Sequence, residues 1–233
     1  MSPTRPLHRA PTKGDQPDVN VLIDNLPKIL SGFWLTVQLL VVSGVVATLL
    51  GTILAAMRVS PVPVLQRAGT AYVTVFRNTP LLIVFLIVVT GLPAVGLQYS
   101  FFVRAIIALS LYTAAFVCEA LRSGINAIQA GQAEAARAIG MTFGQSLRLI
   151  VLPQAFRAVV PPLASILIAL TKNTAIAEVF GVTEASYQLD SLVRDFPTAL
   201  WWLFAGIAIG YMIIVFVIAG GASLLERRWT VTR

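Results

Sequence analysis

The sequence predicts an all-α integral membrane protein with about five transmembrane helices. Three observations carry this reading. Hydrophobic residues make up 57% of the 233 and charged residues only 12%, about half the charged share of a soluble domain, and the mean hydropathy is +0.83. Two stretches without a charge, Ile29 to Met57 and Phe196 to Leu225, each exceed the roughly 20 residues that a helix needs to cross a bilayer. The basic residues stand at the ends of apolar runs, where they anchor helices and set topology.

Those two stretches are the first and last spans. Ala105–Cys118 continues through Glu119 toward Arg122 and reads as the third. Leu163 to about Val182 reads as the fourth, with Lys172 about nine residues in and so near the middle of the bilayer. The second is the least regular. Leu81 to Val89 is apolar but too short to cross alone, so it either continues a helix begun in Ala71–Phe76 or forms a broken span. Thr79 and Pro80 resemble a helix start, with Thr79 as N-cap and Pro80 in the first position. Residues 1–28 form a polar, proline-dotted arm, expected to be partly disordered until Val21–Leu30, which suits the membrane surface. Residues 29–228 make the membrane domain and 229–233 a cytoplasmic tail. The polar start argues against a signal peptide.

Lys/Arg counts give the orientation. One side holds ten (Arg58, Arg67, Arg77, Arg122, Arg137, Arg148, Arg157, Arg227, Arg228 and Arg233). The other holds six (Arg5, Arg9, Lys13, Lys28, Arg104 and Arg194). The positive-inside rule puts the N-terminus outside and the C-terminus in the cytoplasm of a multi-pass cell-membrane protein.

Several functions drop out. The net charge of +7 belongs to helix ends, so nucleic acid is not an expected partner. The one cysteine, Cys118, reads as a packing residue. The one histidine, His8, lies in the arm, so no His/Cys metal cluster is expected and no cofactor is implied. Intramembrane proteolysis needs a Ser–His pair or a His-Glu-x-x-His run within a span, and neither occurs. None of the three lysines, Lys13, Lys28 and Lys172, follows a glycine as a phosphate-binding P-loop requires. ATP hydrolysis is therefore not assigned to this chain. A secondary transporter usually shows more helices or inverted repeats than are visible here.

The most informative stretch is the loop 131–153. Gly131 to Gly140 is Ala-rich and closes on a glycine suited to a helix C-terminus. A second helix can start with Thr142 as N-cap and end near Pro153. Two short helices joined by glycine make a knuckle suited to a partner's groove.

Here the chain resembles the permease subunits of bacterial ABC importers, whose EAA loop reads Glu-Ala-Ala, three residues, Gly, nine residues, Ile, one residue, Leu-Pro. Glu134, Ala135, Ala136, Gly140, Ile150, Leu152 and Pro153 meet that spacing. Phe76-Arg77-Asn78-Thr79-Pro80-Leu81-Leu82 is similar to the Arg-Gly-Thr-Pro-Leu-Leu of the polar-amino-acid branch, with Asn78 in place of glycine. Glu119-Ala120-Leu121-Arg122-Ser123-Gly124-Ile125 is similar to its Glu-x-x-Arg-Gly-Gly-Ile, departing at Ser123. Leu170-Thr171-Lys172-Asn173-Thr174 adds to the likeness. It implies the type I ABC importer permease fold and, as partners, two cytoplasmic ATPases, a second permease copy or paralogue, an extracytoplasmic binding protein and an amino-acid substrate such as glutamate. Methionine, phosphonate and quaternary-amine permeases are the nearest alternatives, and a secondary transporter a more distant one.

Each candidate residue has a plainer reading beside the functional one. Glu134 docks the ATPase, or is a solvated glutamate favoured by the helix dipole. Arg137 pairs with an ATPase carboxylate, or is an ordinary surface arginine. Arg77 belongs to a helix start or to the substrate path. Glu119 and Arg122, three apart, form an intrahelical pair or touch the path. Lys172, with Asn173 and Thr174, lines the path and meets substrate, or pairs within the bundle.

Overall fold

The computed structural model describes residues 18–126 and 130–229. His8 and the arm before Asp18 lie outside them, as do residues 230–233.

Helix α1 (Asp18–Asp24) leads through Asn25 into α2 (Leu26–Val59), with Pro27 in the first turn, where a missing N–H costs nothing. The helical region thus starts ahead of Ile29. Val21 and Ile29 are buried among Leu192, Leu203 and Ile207, so this segment packs against protein. Ser60 and Pro61 end α2, and Pro63 opens α3 (Pro63–Asn78).

Helices α3 and α4 (Leu81–Ala94) meet at a bend of 107°. Of the two expectations for the second span, this is the broken one. Thr79 does not cap α4. Its hydroxyl donates back to the Val75 carbonyl of α3, at 2.8 Å, and Pro80 is the N-cap, its carbonyl accepting from Val84 at 3.3 Å. The residue before a proline is pushed out of helical conformation, so the break falls at Thr79.

Helix α5 (Phe101–Asn126) is the hub, buried by α2, α3, α4 and α8. Its small residues Ala105, Ala108, Ala114, Ala115 and Cys118 are buried and let the other helices approach closely, as membrane packing requires. A Cβ on Gly51 of α2 would lie 2.6 Å from Val117.

After α6 (Ala130–Ala138) and α7 (Phe143–Ser146), a π turn over Leu147–Val151 runs into α8 (Leu152–Asn173). The expected stop near Pro153 does not occur. Pro153 falls in the first turn of α8, where proline is tolerated, and the preceding turn is widened, as happens where the regular ladder is interrupted. A 3₁₀ segment, Thr174–Phe180, completes this span. Helix α9 (Ala185–Asp195) and α10 (Leu200–Trp229) follow. Among the described residues, four helices are long and apolar enough to cross a membrane, and the bent α3–α4 pair makes a fifth. All-α membrane architecture with about five spans is what the sequence led us to expect.

Candidate functional site

Three regions hold the residues singled out in the sequence. The first is the knuckle. Gly140 has φ +84°, the left-handed conformation in which a side chain is strained, and the Met141 N–H bonds the Ala136 carbonyl at 3.1 Å to close α6. Thr142 caps α7 as expected. The Gln145 N–H donates to the Thr142 hydroxyl at 3.3 Å, and the Thr142 N–H to the Gln145 side-chain oxygen at 2.9 Å. This is a reciprocal capping box. Glu134, Ala135, Ala136 and Arg137 lie on α6, Ala136 buried and Ala135 exposed. Ile150 sits in the π turn, and Leu152 and Pro153 open α8. Beside them Ile139 and Leu149 stand 79% and 64% exposed. Sequence reasoning passed over this apolar pair, because both residues lie at positions that the motif leaves open.

The second region gathers around Glu119. Its carboxylate pairs with Arg58 of α2 and, at 3.6 Å, with Arg77 of α3. The expected partner one turn away, Arg122, is not the one it takes. Long arginines from two neighbouring helices outreach the partner on its own helix. The Arg122 Nε is buried and has no hydrogen-bond partner among the described residues. Its side chain lines, with Glu119, Ser123 and Asn126, a cavity of about 480 Å³.

The third region is Lys172. Helix α8 starts at Leu152 rather than Leu163, so Lys172 lies roughly 30 Å along it at 1.5 Å per residue. That places it in the last turn of α8, with the 3₁₀ segment of the same span still to follow. A cation there is favoured by the helix dipole. Lys172 is exposed and has no ion-pair partner among the described residues. Asn173 is half-buried, and Thr174 is buried with its hydroxyl bonded to the Thr171 carbonyl at 2.7 Å.

One further polar centre was not singled out. Glu184 is fully buried and caps α9. Its carboxylate accepts from the Ser186 and Tyr187 N–H groups at 2.9 and 3.1 Å, from the Tyr211 hydroxyl of α10 at 2.8 Å, and from Thr36 of α2 at 3.1 Å. Burial pushes its pKa above the ordinary carboxylate range, against the pull of these four donors. The signal available was its place before Ala185–Asp195, an N-cap position.

The family described as binding-protein-dependent transport system inner membrane component matches residues 47–231. The chain belongs to this family. The glutamate transport system permease protein GluC of Corynebacterium efficiens is 44% identical, covering 89% of this chain and 96% of that one. The glutamate/aspartate import permease protein GltJ of Escherichia coli K12 is 35% identical, covering 86% of each. A crystal structure of an amino acid ABC transporter with histidines superposes with TM-score 0.82 at 30% identity, over 91% of this chain and 99% of that one. The resemblance to polar-amino-acid ABC permeases is therefore borne out. This family member is a multi-pass membrane transport subunit rather than an enzyme.

Proposed function

We propose that this permease forms half of the path by which an ABC importer carries a polar amino acid, with glutamate the leading candidate, into the cytoplasm. The relatives named for glutamate transport support the substrate class. One observation carries the mechanism: the knuckle and the fourth span are one piece of backbone. From Thr142 the chain runs through α7, the π turn and α8 without a break. A push on the knuckle by an ATPase that changes shape on binding ATP is thereby delivered to a membrane helix. Glu134 and Arg137 supply charge on α6 for that docking, while Ile139 and Leu149 supply apolar contact. An extracytoplasmic binding protein delivers the substrate to the opposite face. Lys172 and Asn173 stand toward that face, with Thr174 buried behind them, while Arg77 and Glu119 stand on the inner stretch.

The test is reconstitution in liposomes with the ATPase, the second permease and the binding protein, reading uptake and ATP hydrolysis together. Glu134→Lys is expected to lower amino-acid uptake at least about tenfold per ATP hydrolysed, since a reversed charge at a docked position costs more than 1.4 kcal/mol. Coupled uptake at the unaltered ratio would remove Glu134 from the docking surface.

A further inference from the structure

One exposed face of α3 is polar. Gln66, Thr70, Thr74 and Asn78 recur every four residues, with Arg67 and Arg77 beside them, and all six are exposed in the single chain. The opposite side, at Gly69 and Val73, is buried. Hydrocarbon does not solvate such a stripe, because polar groups facing lipid find no partners there. The stripe therefore faces water or the second permease, as the wall of a path does.

The same wall leads to the Glu119 cluster. Arg58, Thr74, Arg77, Asn78 and Glu119 border a cavity of about 480 Å³. Arg58, Arg67, Thr70 and Arg122 border another of about 520 Å³. Three guanidinium groups, of Arg58, Arg77 and Arg122, stand around the Glu119 carboxylate. Arg58 is the close partner of Glu119, with its side chain only 13% exposed. Arg77 holds the same carboxylate loosely and is 46% exposed, while the Arg122 Nε has no partner among the described residues. Among the described residues, three guanidinium groups thus stand beside one carboxylate, an excess of two positive charges around these cavities. The arrangement is completed by a ligand carrying a carboxylate for the arginines and an ammonium for Glu119.

We infer that Arg77, Arg122 and Glu119 form a zwitterion site that takes the α-carboxylate and α-ammonium groups of an amino acid on the inner stretch of the path. The inference rests on the amino-acid importer reading above and adds how the substrate is held. Arg77 and Arg122 bind the carboxylate through charge-assisted hydrogen bonds, which a guanidinium fork makes well. Arg58 holds Glu119 in place without meeting the ligand. Recognition falls on groups that every amino acid carries, and the side chain is left to the cavity.

The test uses the detergent-purified complex of this permease with its ATPase and second permease, without binding protein. Saturation-transfer NMR detects weak ligands in such a sample, and the probes are L-glutamate, L-glutamine and L-arginine. 4-Aminobutyrate, which is glutamate without its α-carboxylate, is the control. Wild type is expected to bind at least two of the amino acids with affinities within a few-fold, and 4-aminobutyrate about 10-fold or more weakly. Arg77→Gln and Arg122→Gln are each expected to weaken all bound amino acids by about 10-fold or more, the loss of one charge-assisted bond. Arg77→Lys should recover part of this. Equal binding of 4-aminobutyrate, unchanged affinity in the variants, or a loss confined to glutamate overturns the site. If Arg122→Gln fails to co-purify with the ATPase, Arg77→Gln and the wild-type comparison decide, since Arg77 is half-exposed and loosely held. Liposomes that import an amino acid while the variants bind normally sink this site alone. Liposomes that import no polar amino acid sink the importer reading and the site with it.

Discussion

Glu184 shows what a single buried carboxylate does when four donors converge on it. Thr36, Ser186, Tyr187 and Tyr211 tie α2, α9 and α10 to one point. Glu184→Ala leaves these donors without an acceptor and removes a helix cap, so it is expected to destabilise the purified protein by on the order of 3 kcal/mol. The pH dependence follows from the raised pKa. A carboxyl whose folded pKa lies above its unfolded value contributes its full stability below the unfolded value and loses it as pH rises through the folded one. Thermal unfolding of the wild type should therefore shift to lower temperature as pH rises above the ordinary carboxylate range. Glu184→Gln should flatten that slope, and a slope unchanged in Glu184→Gln would assign the dependence to another group. Beyond its place before a helix start the sequence offered little sign of this centre, because two of its four donors come from positions 36 and 211, far along the chain. The Glu119 pairing was missed for the same reason. A spacing of three on one helix brought Arg122 to notice, whereas Arg58 and Arg77 are brought near only by the packing of α2 and α3 on α5.

Single elements were legible wherever local chemistry decides them. Thr142 as cap, Gly140 as the turn and the charge-free first and last spans follow from residues within a few positions of one another. Thr79 failed because both helices that flank it offer a bond, and the Val75 carbonyl lies one turn back, in reach of its hydroxyl. The start of the fourth span failed because Pro153 was read as a stop, which moved it eleven residues along. Close helix crossings were also hidden, since a glycine in a span reads as neutral. Gly124 of α5 lies so close to α8 that an added Cβ would meet the Val159 side chain at 2.2 Å. Gly124→Ala is accordingly expected to cost about 1–3 kcal/mol by overpacking. Adding Val159→Ala should return part of that loss by removing the methyl in the way, measured as the unfolding midpoint of the purified complex. Losses that simply add in the double variant would mean the two helices do not meet there.

At the scale of the molecule, one orientation must satisfy every region at once. With the knuckle in the cytoplasm, α2, α5 and α10 run inward, and the bent α3–α4 pair and α8 run outward. The Glu119 cluster then falls toward the inner side, and Lys172, Glu184 and α9 fall toward the outer one. The ten-to-six excess of basic residues supports this arrangement, as does the acidic set Glu178, Glu184, Asp190 and Asp195 between the last two spans. Accessible cysteines test it directly, because the native Cys118 is buried. Gln145 is exposed on α7 and Asp195 is exposed at the end of α9. In intact cells a membrane-impermeant maleimide should label Asp195→Cys and leave Gln145→Cys unmodified until the membrane is opened. The reverse pattern would turn the molecule over. It would carry the knuckle away from the compartment that holds ATP, and the docking role could not survive it.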